Sequence, residues 1–312
     1  MKHIEDQIRF GPDGDKIREE ARRALEEADA FGVFPTPVHQ IMEAANLEEM
    51  PEEALDEGFL KSIRKKAGTS TKALKRALSK VLGVFDSTAG LVYVGRVEYP
   101  ARKLFLRLHE TAHGWLKWQR DTYKIVEDCE QTISPDIADR FDAEANLFAS
   151  ETLFQLDTFT EQANDEPFGL RAPLKVSKRF GASAYASIRR YVNTSDRCCA
   201  VVILNQLERN VGMSFRAEVR RIVASRSFLE TMGDIELPKY ITPMHPLGKS
   251  VPLYGKMSRP KELPLFDRNG DIQECISEGF DSTHQIFILI CLQKSLTKRS
   301  IIVPSQPLTQ RQ

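Results

Sequence analysis

The stretch from Leu104 to Trp118 constrains this chain more than any other, because it contains the motif His-Glu-Thr-Ala-His at residues 109–113. On an α-helix, residues four apart lie one turn above each other, so both imidazoles can bind one metal ion. Glu110 would lie beside that ion, where a general base for a metal-bound water is needed. The motif therefore predicts a zinc site with His109 and His113 as ligands and Glu110 as the catalytic base.

The spacing of apolar residues supports a helix for this stretch. Apolar side chains recur at a period of 3.6 residues, with basic residues on the opposite side. The apolar stripe consists of Leu104, Leu108, Ala112 and Trp115, widened by Phe105 and Leu116. His109 and His113 fall at its boundary, as ligands at the floor of a cleft would. The alternative is a helix with two chance histidines, but a pair at this spacing that brackets a glutamate favours the metal site.

The composition is that of a globular chain without a charge bias. Lys+Arg and Asp+Glu are both 44 among 312 residues, so the net charge gives no reason to expect nucleic acid or an anionic membrane as a partner. The N-terminus is charged and no apolar run approaches a bilayer span, which predicts neither secretion nor membrane insertion. Five cysteines form no Cys-x-x-Cys pair, and we expect free thiols in a reducing cytoplasm.

A basic segment from Lys61 to Lys80 allows two interpretations. Its apolar residues recur at helical spacing and no aromatic residues interleave with the basic ones. A solvated helix face is therefore the preferred interpretation, and a nucleic-acid surface is the alternative.

A short apolar run from Gly90 to Gly95 is bounded by glycines and predicts a β-strand. The predicted metal helix follows it directly. The edge of such a strand can hold an extended peptide by backbone hydrogen bonds. Tyr93 either lines that groove or packs within the sheet, and packing is the preferred interpretation.

A catalytic zinc site usually takes three protein ligands. The best source of the third is a helix that opens at Ser134-Pro135, a good N-cap and first-position pair. Asp142 and Glu144 lie at opposite edges of its apolar stripe. A carboxylate beside such a surface needs a partner, and a cation supplies one. The helical geometry alone does not choose between these two residues.

The motif at residues 109–113, followed by Ala143-Glu144-Ala145-Asn146-Leu147-Phe148-Ala149, resembles the ImmA/IrrE family of intracellular zinc metallopeptidases. Three further segments occur in the family's order, and the resemblance covers about residues 25–195. These segments are Phe34–Val38, Leu91–Val94, and Lys178–Ser183 with Arg189-Arg190. Where the family usually ends its ligand helix with Leu-Leu-Met-Pro, this chain has Thr152-Leu153-Phe154-Gln155.

The resemblance implies a function and a complete ligand set. It assigns Glu144 as the third zinc ligand, with His109 and His113. It implies an endopeptidase that makes limited cuts in a regulatory protein, typically a helix-turn-helix repressor. Glu110 would assist the attack of a zinc-bound water on the peptide bond.

Two short helices, 173–180 and 184–192, surround Gly181. Such a pair could form a helix-turn-helix that binds DNA, but in the family it usually packs within the peptidase domain. A domain boundary is expected near residue 195. Beyond it the sequence predicts strands at 200–204, 215–223, 285–292 and 301–303, with a short helix at 227–232 and a Pro-rich link at 237–264.

The residue that stabilises the oxyanion is not identified by any motif. Tyr93, His245 and His284 are the candidates. The two histidines are more often surface or core residues in such positions.

The sequence thus predicts an α+β fold with two domains. Residues 1–195 would form a mainly helical, zincin-like metallopeptidase domain with a small β-sheet. Residues 196–312 would form a mixed α/β accessory domain for recognition or regulation. The predicted function is a cytoplasmic zinc endopeptidase that acts on a protein substrate in transcription regulation, and direct nucleic-acid binding is not expected. The alternatives are a non-catalytic zinc-containing regulatory module and a DNA-binding regulator.

Overall fold

The computed structural model describes most of the chain. The described residues are 8–9, 11–49, 83–86, 90–94, 97–128, 133–209 and 215–296. The basic segment from Lys61 to Lys80, Cys129 and the predicted strand at 301–303 lie outside them. The described part mixes helices and β-strands, which confirms the predicted fold class at that level. Within it, no helix combines the length and apolarity that a membrane crossing requires.

The chain divides into two compact units. The first consists of residues 1–167 and 171–191, and the second of residues 168–170 and 192–312.

Helices dominate the first unit. They are α1 (Pro12–Glu27), α2 (Val38–Ala44), α3 (Pro100–Trp115), α4 (Lys117–Asp128), α5 (Pro135–Leu153), α6 (Thr158–Asn164), α7 (Arg171–Phe180) and α8 (Ala184–Asn193). Proline stands at the first turn of α1, α3 and α5, where its missing N–H costs no intrahelical hydrogen bond.

The core of the first unit lies between α3 and α5, which pack against each other. The predicted stripe of α3 supplies Leu108 and Ala112, and α5 supplies Phe148 and Ala149, all four without solvent exposure. Each helix buries the face that its 3.6-residue period predicts. This packing fixes which residues of α5 face the two histidines of α3.

The small sheet of the first unit has three strands in the order β1 (Glu48–Glu49), β3 (Leu91–Val94) and β2 (Gly83–Asp86). β3 is parallel to β1 and antiparallel to β2. Leu91 therefore pairs on both sides, with Glu48 and with Asp86. The sequence predicted β3 correctly, but not that β1 would occupy one of its edges, because a two-residue strand leaves no periodic signal.

Gly181 joins α7 to α8, and its surroundings explain why a glycine occurs within the segment Lys178–Ser183. Its φ is +69°, and a Cβ at this position would lie 2.9 Å from Leu104 Cδ1 of α3. Glycine is required both for this backbone conformation and for the close approach. Phe180 is fully buried, and its ring centroid lies 4.8 Å from that of Phe34. The two helices thus pack within the first unit, as the resemblance to the family implied.

Antiparallel strands form most of the second unit. They are β4 (Cys199–Leu204), β5 (Glu208–Arg209), β6 (Phe215–Ala224), β7 (Tyr240–Ile241), β8 (Lys261–Phe266), β9 (Ile272–Asp281) and β10 (Ile286–Leu292), with helix α9 (Arg226–Met232) between β6 and β7. The sheet order is β5-β6-β4-β10-β9-β8, and β7 pairs with β6. Both faces of β4 and most of β10 are buried, as their continuous apolar sequences predict.

The predicted strands at 200–204, 215–223 and 285–292 correspond to β4, β6 and β10. The predicted link at 237–264 instead contains β7, a short 3-10 helix (Pro246–Ser250) and the start of β8. β9 was not predicted.

Candidate metal centre

α3 brings His109 and His113 together on one face. Their Nε2 atoms are 3.3 Å apart, and their rings meet edge to face with centroids 4.9 Å apart. Asp142 of α5 completes the group, with Oδ1 3.9 Å from each Nε2. In the described part of the chain, these three residues form the one group of three or more potential ligands whose ligand atoms converge within 4.8 Å.

The spacing of these atoms fits a metal ion. A tetrahedral ion with ligand distances of about 2.0–2.1 Å separates two of its ligand atoms by about 3.3–3.4 Å. The two Nε2 atoms already have this separation. The Asp142 side chain is 63% exposed, and a change of its side-chain torsion angles would shorten its distance to the pair. Two imidazoles and a carboxylate are the donor types found in catalytic zinc sites.

Both histidines present Nε2 to the site because their Nδ1 atoms are hydrogen-bonded elsewhere. His109 Nδ1 lies 3.1 Å from Asn146 Oδ1, and His113 Nδ1 lies 2.7 Å from Gln119 Oε1. Such outer partners orient ligand rings and select their tautomers. Burial, followed by repulsion from His109, lowers the pKa of His113 to about 3, against the opposing effect of the Gln119 hydrogen bond. A neutral His113 is the form that binds a metal.

Glu144 lies apart from this group. It is buried, and Oε2 accepts hydrogen bonds from Trp118 Nε1 at 2.7 Å and Gln119 Nε2 at 2.8 Å. Oε1 accepts one from Arg140 Nε at 3.0 Å. The structure therefore brings Asp142, rather than Glu144, to the histidine pair. Side chains two residues apart on a helix point about 200° apart. Because α5 directs Asp142 towards the histidines, Glu144 points away from them.

Glu110 lies on the histidine helix and is buried. Burial raises the pKa of Glu110 to about 8, and the negative charge of Asp142 contributes to the rise. A carboxylate with a raised pKa is a stronger base than an ordinary glutamate, as a general base near neutral pH must be.

Tyr123 of α4 is a further residue at the centre. Its ring meets that of His113 edge to face, with centroids 5.4 Å apart, and lies 5.9 Å from Phe141 of α5. Burial raises the pKa of the Tyr123 phenol, and the charges of Asp142 and Glu110 raise it further. The hydroxyl therefore keeps its proton and can donate a hydrogen bond. The sequence offered no motif for Tyr123, only its position ten residues after His113.

Two of the predicted oxyanion candidates belong to the second unit, and the third has a side chain that is not described. His245 and His284 belong to the second unit. His245 accepts a hydrogen bond from Leu247 N at 3.2 Å, and His284 is exposed between β9 and β10. The side chain of Tyr93 lies outside the described part.

Comparison with known proteins defines the class of this centre. Residues 63–191 match the family model Peptidase_M78, described as the IrrE N-terminal-like domain. This segment contains α3, α5 and all the residues of the centre, and a metallopeptidase family implies a metal. The match confirms, for this segment, the resemblance to the ImmA/IrrE family found in the sequence.

A solved structure described as a Mycobacterium tuberculosis transcriptional regulator resembles most of this chain. The two share 13% sequence identity and superpose with a TM-score of 0.51, over 94% of this chain and 82% of that chain. At this identity the likeness shows a shared fold. The search of curated proteins gave no match.

Proposed function

We propose that this protein is an intracellular zinc-dependent endopeptidase that makes limited cuts in a regulatory protein. The observation that supports this most strongly is the pair of Nε2 atoms 3.3 Å apart, with Asp142 and the buried Glu110 beside them. His109, His113 and Asp142 would hold the ion. We assign Asp142 as the third ligand in place of Glu144, the sequence-based choice. Glu144 instead accepts hydrogen bonds from three other side chains.

Zinc suits two nitrogens and one carboxylate oxygen, and three protein ligands leave a position for the reaction. A zinc ion held there would polarise the substrate carbonyl and make the attacking water more acidic.

The protein's own groups move the protons. Glu110 takes a proton from water as the water oxygen bonds to the carbonyl carbon of the scissile peptide. Glu110 then delivers this proton to the amide nitrogen as the C–N bond breaks, giving a carboxylic acid and an amine. The Tyr123 hydroxyl would donate a hydrogen bond to the carbonyl oxygen as negative charge develops there. The raised pKa of Tyr123 keeps that donor protonated throughout.

A protein substrate suits the position of the centre. The exposed Asp142 side chain marks a side that is open to solvent. The family resemblance favours a helix-turn-helix repressor as the target. A reducing cytoplasm agrees with the free and buried state of Cys198, Cys199, Cys275 and Cys291.

We assign recognition or regulation to residues 196–312. The described part of this region has a hydrophobic core to which β4, β10, α9 and the neighbouring strands contribute. It contains no group of three potential metal ligands. A domain with a core and no such chemistry usually selects a substrate or controls access to it.

The proposal is tested with Glu110→Gln as a trap. This change removes the base and leaves His109, His113 and Asp142 intact, so we expect a full zinc content and no cleavage. Proteins captured by the trap are then incubated with wild-type protein and examined for fragments. Glu161→Gln, an exposed substitution on α6, should cleave like the wild type.

Fragments with wild type and Glu161→Gln but not with Glu110→Gln are the expected result. If partners are captured and never cleaved by the wild-type protein, the non-catalytic regulatory module is the better account. If the purified protein binds no zinc, the proposal fails at its first step.

A further inference from the structure

A buried hydrogen-bond chain leads away from the metal centre and has no role in the reaction described above. Gln119 of α4 has no solvent exposure, and Glu144 of α5 has 3%. Both side chains are polar, and polar side chains are rarely buried without a structural or functional reason. Their hydrogen bonds connect His113 to Trp118 and Arg140.

The direction of each hydrogen bond follows from the groups at the far end of the chain. The ring N–H of Trp118 and the guanidinium N–H of Arg140 can only donate. Glu144 therefore accepts from both, at 2.7 Å and 3.0 Å. Its Oε2 also faces Gln119 Nε2 at 2.8 Å, and a carboxamide nitrogen is likewise a donor.

The orientation of Gln119 is fixed by these contacts. Its Nε2 carries two hydrogens, and these go to Glu144 Oε2 and to the backbone carbonyl of Phe141 at 3.2 Å. Its Oε1 is then the atom that faces His113 Nδ1 at 2.7 Å. An amide oxygen can only accept, so the proton of His113 must reside on Nδ1. His113 Nε2 is left with the lone pair that a metal needs.

We infer that Gln119 is a positioning residue for the metal centre and that Glu144 holds Gln119 in its working orientation. Without Glu144 the carboxamide can turn over and present Nε2 to His113, which selects the tautomer that cannot bind metal through Nε2. This inference rests on the proposed metal site and assigns no chemistry in the reaction to either residue. It also explains why a buried glutamate lies near the centre without being a ligand.

The chain supplies a matched control for a change at Gln119. Gln155 is also fully buried in the first unit, and its side chain bonds to Gly32 N, Val33 O and Thr36 Oγ1. These contacts tie the end of α5 to the loop before α2 and do not involve the metal centre. Gln119→Leu and Gln155→Leu thus remove the same group from equally buried sites.

The test measures zinc affinity by competition with a chromophoric chelator, and the visible spectrum of the Co²⁺-loaded protein. We expect Gln119→Leu to bind one zinc per chain with an affinity roughly 10–100-fold lower, as for other outer partners of ligand histidines. Its Co²⁺ spectrum should shift, because the His113 ring is no longer oriented. Gln155→Leu should keep the wild-type affinity and spectrum.

Two further measurements do not depend on how well Gln119→Leu folds. In metal-free wild-type protein, ¹⁵N NMR of the histidine side chains should show His113 protonated at Nδ1. Glu144→Gln keeps an oxygen for Trp118 and Gln119, so it should still bind one zinc, with less than about a tenfold loss of affinity.

Equal affinities for Gln119→Leu and Gln155→Leu, or a proton on Nε2 of His113 in the metal-free protein, would overturn the inference. A wild-type protein that binds no zinc would instead overturn the proposed function. In that case the NMR result alone decides whether Gln119 fixes the His113 tautomer.

Discussion

Asp142 and Glu144 are two residues apart on α5, and the structure gives them different partners. Asp142 Oδ1 lies 3.9 Å from Nε2 of both His109 and His113. Glu144 instead accepts hydrogen bonds from the side chains of Trp118, Gln119 and Arg140. The two residues point about 200° apart, so they cannot exchange roles without a rotation of α5. The packing of α5 on α3 therefore determines which carboxylate faces the histidine pair.

The first prediction concerns this division of roles. We expect His109→Ala and Asp142→Ala to lose the stoichiometric zinc, because each removes a ligand. Glu144→Gln should retain about one zinc per chain, because it removes none. Metal analysis of the purified variants after gel filtration checks both statements.

Asp139→Ala is the control for a lost carboxylate on α5, since Asp139 is exposed on the same helix. It should contain as much zinc as the wild type. Loss of zinc from Glu144→Gln together with its retention in Asp142→Ala would restore Glu144 as the third ligand.

The second prediction concerns Glu110 in the metal-free protein. The pKa of Glu110 in the folded state is raised from 4.5 to about 8, chiefly by burial. The folded state thus holds this proton while the unfolded state releases it. The contribution of Glu110 to stability is complete below pH 4.5 and is lost as pH rises towards 8, by up to about 1.4 kcal/mol per pH unit.

Glu110→Gln removes this dependence, because glutamine does not titrate. Urea unfolding in the presence of a chelator checks this. The free energy of unfolding of Glu110→Gln, relative to that of the wild type, should increase as pH rises from 4.5 to 8. The exposed Glu161→Gln should follow the wild type across the range. A constant difference between Glu110→Gln and wild type would mean that Glu110 is not protonated in the folded state.

The third prediction concerns the Tyr123 hydroxyl. Tyr123→Phe keeps the ring against His113 and Phe141 and removes only the oxygen. If the hydroxyl donates to the developing oxyanion, kcat should fall by roughly 10²–10³-fold with little change in KM. Cleavage of a target identified with the Glu110→Gln trap provides the assay.

Zinc content and the Co²⁺ spectrum of Tyr123→Phe should match the wild type, because no ligand is touched. Tyr185→Phe removes a hydroxyl from α8 and serves as the control for a tyrosine outside the centre. A kcat for Tyr123→Phe equal to that of Tyr185→Phe would exclude Tyr123 as the oxyanion donor.

The parts of the site that lie on one helix could be predicted from the sequence. His109, Glu110 and His113 are linked by helical periodicity alone, and the apolar stripe indicated the buried face of α3. Asp142 and Glu144 lie at opposite edges of the stripe on α5, so either could have faced the histidines. The choice depends on how two helices dock, and such docking leaves no pattern in either sequence segment.

Strand β9 shows a different limit of sequence reasoning. Its buried positions are Cys275, Ser277 and Gly279, which are small or polar. The buried and exposed positions of β9 therefore differ little in hydrophobicity, and the sequence shows no alternating pattern there. Gly279 is explained only by its surroundings, because a Cβ there would lie 2.0 Å from the carbonyl oxygen of Ser250. Glycine is required at this position because two segments that are distant in sequence approach each other closely at their backbones.

The last prediction concerns the buried ion pair of Glu151 and Arg190, whose side chains are 4% and 0% exposed. Arg190 also donates to the backbone carbonyl of Leu156 at 2.5 Å. Burial raises the pKa of Glu151, but Arg190, with smaller effects of Arg9 and Arg18, outweighs it and lowers the pKa to about 2. The pair therefore stabilises the fold above pH 4.5, and this contribution is lost as pH falls towards 2.

Arg190→Met keeps most of the buried volume and removes the charge, and it should cost about 3–5 kcal/mol at pH 7, because Glu151 loses its main partner. Urea unfolding should show this difference in stability from wild type narrowing as pH falls from 4.5 towards 2, because Glu151 of the folded wild-type protein then becomes protonated. Arg22→Met breaks an ion pair with Glu19 on the exposed side of α1 and should cost less than about 1 kcal/mol. A cost for Arg190→Met that stays the same down to pH 2 would mean that packing and the bond to Leu156, rather than the ion pair, account for its effect.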